Sequence, residues 1–92
     1  MITTEEELYE FVETLRPLAE RSSADVEEMF DTLMYVGEPW EALTVLLETV
    51  AETGVKIAPA QSQTILHEAL EPIATSNELK RYSAMLAAAS TE

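Results

Sequence analysis

Cysteine is absent from this 92-residue chain, and that omission removes disulfides, thiol nucleophiles and thiolate metal sites together. Histidine occurs once, as His67, so a nucleophile–histidine pairing or a multi-histidine metal centre has a single imidazole to build on. Only two glycines are present, Gly37 and Gly54. Separated by a whole helix, they cannot form a phosphate-cradling loop, and neither lies in the alternating oxygen-ligand pattern of a calcium loop. No apolar run approaches a membrane span, and the opening M-I-T-T-E-E-E lacks the basic and apolar regions of a secretory signal. The expectation is a soluble cytoplasmic protein with no cofactor and no metal, and not an enzyme.

Basic residues are also scarce. Five Lys and Arg stand against 18 Asp and Glu, a formal charge of 5 − 18 = −13. A field of that size disfavours nucleic acid and anionic membrane surfaces and suits a basic partner. The asymmetry is internal as well: residues 1–52 carry 14 acids against Arg16 and Arg21, while residues 53–92 are close to balance. An apolar fraction of 47% separates the chain from acidic disordered sequences. One folded domain over residues 1–92 follows, with room for a single small core but not for a deep substrate cleft as well.

Periodicity predicts an all-α bundle of four to five helices with short loops. Thr3 and Thr4 stand three residues before Glu6 and Glu7, the spacing of a capping box. Leu8, Phe11, Val12, Leu15, Leu18 and Ala19 then form one apolar stripe. Pro17 predicts a kink or break near Arg16. A second helix over about 24–36 starts after Ser22 and Ser23 and buries Val26, Met29, Phe30, Leu33 and Met34, with Gly37 as its left-handed cap. The third, over about 39–53, turns Trp40, Leu43, Leu46, Leu47, Val50 and Ala51 inward and Glu41, Glu48 and Glu52 outward. Gly54 closes it, and Val55-Lys56-Ile57 forms an extended link with no evident strand to pair with. Pro59 opens a fourth helix that Pro72 should stop, and Thr75 with Glu78 caps a fifth whose alanine-rich end is expected to fray.

No constellation for chemistry emerges. The carboxylates lie on faces predicted to be wet, where nothing raises a pKa for acid catalysis. Small acidic helical domains include acyl carrier proteins, which carry a modifiable serine in an Asp-Ser dipeptide at a helix start. Here the candidates Ser22 and Ser23 follow Arg21 and Ser22, so that reading fails. What remains is a surface in which acids alternate with aromatics, the composition of a protein interface. Glu28, Asp31 and Tyr35 lie on the second helix, and Glu38, Trp40 and Glu41 at the start of the third. Tyr9, Glu10 and Glu13 are candidate neighbours, and Trp40 is open between core and interface.

The segment G-E-P-W-E-A-L-T-V-L-L-E-T-V-A-E-T-G-V-K-I, residues 37–57, resembles the G-E-P-x-x-A-L-x-x-L-x-x-x-L-x-E core of small bacterial immunity proteins of the MafI type. The matched positions include Gly37, Glu38, Pro39, Ala42, Leu43, Leu46, Glu52, Val55 and Ile57. Val50 stands where that core has leucine, and the similarity extends over residues 24–72. Such a resemblance implies a cytoplasmic inhibitor that binds and neutralises a cognate toxin domain, often a basic nuclease, without chemistry of its own. The other reading is an acidic helical adaptor or oligomerisation module with no toxin-related role. A homodimer is compatible with either.

Overall fold

A computed structural model describes residues 2–90. The described residues are all-α, but with six helices rather than four or five. They are α1 (Glu5–Glu13), α2 (Arg16–Ser22), α3 (Ala24–Tyr35), α4 (Pro39–Thr53), α5 (residues 59–73) and α6 (Ser76–Ala89). The extra helix comes from the break at Pro17. Pro17 cannot donate a backbone N–H, so α1 ends at Glu13 and α2 starts with this proline in its first turn.

Arg16 secures that corner. Its guanidinium pairs with Glu13 at 2.6 Å and with Asp31 of α3, and it lies over the Phe30 ring, 5.2 Å from the centroid. The capping threonine of α1 is Thr4, whose hydroxyl accepts from the Glu7 N–H at 3.1 Å. In return Glu7 accepts from the hydroxyls of both Thr3 and Thr4, which hold its carboxyl below the ordinary value.

Helix α4 is the centre of the molecule, packing against α1, α2, α3 and α6. Leu43, Leu46, Leu47 and Val50 are all buried, and each contributes on the order of 1.5–3 kcal/mol by leaving water. Two expectations about inward faces fail. Ala51 is exposed on α4, and Met29 is 48% exposed on α3. Both sit at the edge of the helical stripe, where periodicity alone does not say how wide the neighbouring helix is. Gly54 adopts φ 75° and caps α4 through its N–H to the Val50 carbonyl at 3.1 Å. An added Cβ would meet nothing within 4 Å, so Gly54→Ala is opposed by backbone conformation alone. It should cost about 1 kcal/mol, read as a lower denaturation midpoint at unchanged m-value.

Pro72 stands at the end of α5 as predicted, and the helix closes one residue beyond it at Ile73, in α-helical segments Pro59–Thr64 and Glu71–Ile73 joined by a π-helical stretch, Ile65–Leu70. The wider register hands the Glu71 N–H to the Leu66 carbonyl. Pro72 has no N–H to offer the Glu68 carbonyl four residues earlier. That carbonyl accepts from the Ile2 N–H at 3.3 Å, drawing the N-terminal segment across the end of α5.

At the other end, the alanine-rich segment stays ordered through Ser90. Ala89 is buried, and its carbonyl accepts from the Ile57 N–H at 2.9 Å, giving an isolated parallel bridge between Ile57 and Ser90. Thr91 and Glu92 lie outside the described residues. The extended link therefore finds its pairing in the chain's last helix, and Ile57 is fully buried there.

Glu48 is the acid whose place differs most from expectation. Rather than lining an open face, it accepts from the Tyr82 hydroxyl at 3.2 Å and pairs with Arg81 at 3.3 Å, joining α4 to α6. Burial first, and then the Glu48 charge, push the Tyr82 phenol above its ordinary value of 10. Because the folded-state value is raised, this group's contribution to stability is present at neutral pH and lost as pH rises above 10. An absorbance titration should therefore show a phenolate step above pH 10 that Tyr82→Phe removes. The same substitution should lower stability at pH 7 by about 1 kcal/mol.

Candidate protein-binding face

The turn between α3 and α4 is rigidly specified. Gly37 takes φ 78°, its N–H bonds the Met34 carbonyl at 3.2 Å, and the Glu38 N–H bonds the Leu33 carbonyl at 2.9 Å. This pair of bonds is the Schellman arrangement, and Pro39 then starts α4 immediately. Sequence thus places Glu38, Trp40 and Glu41 on the first turn of the central helix, at the lip of the core. Tyr35 is 91% exposed and Val36 60% exposed beside the turn, so two large side chains face solvent where α3 ends.

Trp40 is neither wholly core nor wholly surface. Half-buried against the core, it forms one wall of a groove of about 580 Å³ with Ile2, Leu8, Pro39, Pro72 and Ile73. Glu5 and Glu38 bring carboxylates to the same lining. A shallower hollow beside it is formed by Glu5, Glu6, Tyr9, Gly37 and Pro39. The start of α1, the α3–α4 turn and the end of α5 therefore converge on one corner.

The six residues expected from sequence divide between two places. Glu38 and Trp40 line the groove, with Glu41 one turn along α4 and Tyr35 across the Gly37 turn. Glu28 and Asp31 are exposed on α3, but Asp31 is engaged by Arg16. Glu28 stands seven residues before Tyr35, roughly 10 Å along the helix axis. The groove's other contributors escaped sequence reading. Ile2 lay ahead of the first periodic residue, and Pro72 and Ile73 looked like a helix stop. The one available signal was a proline four residues after a carbonyl that then has to find another donor.

Charge at the corner is uncompensated. Glu5, Glu6, Glu38 and Glu41 form no ion pair among the described residues, whose paired acids are Glu13, Asp31, Glu48 and Glu71. The two bases of the acidic half are committed elsewhere: Arg16 as described, and Arg21 through a 2.9 Å bond to the Lys56 carbonyl. His67 is exposed on α5, its Nδ1 facing Glu71 and its Nε2 facing Gln63, each at 2.8 Å. Those contacts are one turn away on the same helix, the pattern of a surface side chain. No group of three or more His, Asp or Glu side chains among the described residues is arranged to hold a metal ion. No described helix is long and apolar enough to cross a membrane.

No family model, curated protein or solved structure matches this chain.

Proposed function

We propose that this protein is an immunity protein that binds and neutralises a cognate bacterial toxin domain, a basic nuclease, through its acidic corner. The observation that carries the reading is the set of carboxylates without an ion pair among the described residues, Glu5, Glu6 and Glu38 on the two hollows and Glu41 in the first turn of α4, beside half-buried Trp40 and with exposed Tyr35 across the Gly37 turn. A nuclease must present a basic surface to the phosphate backbone. An acidic helical face competes for that surface or docks beside it, and the charges hasten encounter while the aromatics supply the contact area. The cytoplasm of the producing cell is where such an inhibitor acts, and no reaction on its own part is required.

The adaptor reading takes its support from the apolar groove, since an amphipathic helix or loop docks in such a cleft. Acids on the groove's own lining favour a basic occupant and so the first reading. The two separate on co-expression: the toxin reading frame next to this gene should arrest growth when expressed alone and cease to do so with this chain. Equal killing with and without the chain would refute the immunity role.

A further inference from the structure

We infer that the groove between Ile2, Leu8, Pro39, Trp40, Pro72 and Ile73 receives one aromatic or aliphatic side chain that the partner presents between basic residues. This deepens the binding role proposed for the corner and rests on it. A volume of about 580 Å³ is within the range of roughly 300–1,000 Å³ typical of ligand pockets, but the lining offers a small polar ligand no free hydroxyl. Both threonine hydroxyls of the lining, Thr3 and Thr4, bond Glu7. What is left is an apolar floor and two carboxylates, Glu5 and Glu38, with Glu6 and Glu41 beyond.

Charge selects the occupant. An apolar side chain suits the floor, and lysine or arginine on either side of it in sequence reaches the carboxylates at the rim, which form no ion pair among the described residues. A second copy of this chain would instead bring unpaired carboxylates against their equivalents, in a molecule already at −13. The floor is preformed, because the Ile2 N–H bond to the Glu68 carbonyl and the Gly37 turn hold two of its walls. Little ordering is therefore needed on binding.

Trp40 is the only tryptophan, so its fluorescence reports the groove directly. The probes are three blocked tripeptides, Arg-Phe-Arg, Arg-Ser-Arg and Glu-Phe-Glu, each titrated to millimolar concentration at low salt. Arg-Phe-Arg should shift Trp40 emission saturably, at least about tenfold more tightly than the other two, and added salt should weaken it. Glu38→Gln and Ile73→Ser, at exposed positions outside the core, should each weaken it severalfold with the helical circular dichroism unchanged. No saturable shift with Arg-Phe-Arg, equal binding of Glu-Phe-Glu, or a dimer that buries Trp40 would overturn the inference. Peptide binding without growth rescue removes the toxin reading and keeps the groove. Rescue without peptide binding keeps the toxin reading and removes the groove.

Discussion

Replacing Leu43 with alanine is expected to cost about 3 kcal/mol. Leu43 is fully buried on the helix that touches four others, so the cavity it leaves has rigid walls on several sides and cannot collapse. Small domains hold only about 5–15 kcal/mol in all. In a chain of this size each kilocalorie is worth roughly 4–8 °C, which puts the expected drop in melting temperature at about 12–24 °C. Urea denaturation should show a lower midpoint with an unchanged slope. Tyr35→Ala, at a position 91% exposed, should stay within about 0.5 kcal/mol of the parent. A comparable loss at both positions would mean that α4 is not the organising element.

The second large effect concerns association. Reversing Glu38 and Glu41 together to lysine changes the formal charge by four, from −13 to −9. If the corner meets a basic surface, steering is lost and like charges are placed in the contact. The association rate should fall by about tenfold or more at low salt, and by much less at high salt. Folding stability should fall only slightly: lysines at the start of α4 oppose the helix dipole, but the two carboxylates have no cationic partner among the described residues and self-repulsion decreases. A protein that loses binding while nearly keeping its melting temperature locates the interface; reversal of Glu52, exposed in the last turn of α4, supplies the control.

Much of the fold is legible in the residues because its main devices are local. Thr75 with Glu78, the left-handed Gly37 and Gly54, and the Pro17 break each act within one turn of chain. The stripe through Leu43, Leu46, Leu47 and Val50 then orients α4. What local pattern does not carry is any arrangement depending on a distant partner. The end of α5 at Pro72 is legible, but the π-helical register before it, and the Ile2 N–H that reaches the Glu68 carbonyl, cannot be inferred from neighbouring residues. The alanine-rich end looked like a fraying tail because its anchor, Ile57, lies more than thirty residues earlier.

The candidate site divides along the same line. Glu38, Trp40 and Glu41 follow from a glycine turn and a helix start, and they stand where that grammar puts them. Asp31 shared the exposed face of α3 with Glu28 and Tyr35, but its bond to Arg16 crosses from one helix to another. Glu48 fitted an outer stripe just as well, yet α6 arrives there with Tyr82 and Arg81. Sequence periodicity tells which side of a helix is polar. It does not tell which polar side chains will be met by another element, and that distinction leaves Glu38 and Glu41 available and Asp31 and Glu48 engaged.

The most direct test is to measure binding of the purified basic toxin domain proposed as the partner to the parent protein and to the Glu38→Lys/Glu41→Lys variant, at low and high salt. The prediction is tight, salt-sensitive binding by the parent and a loss of at least about tenfold in the folded variant. Equal affinity for the two proteins, with no dependence on salt, would contradict the assignment of the acidic corner as the binding face.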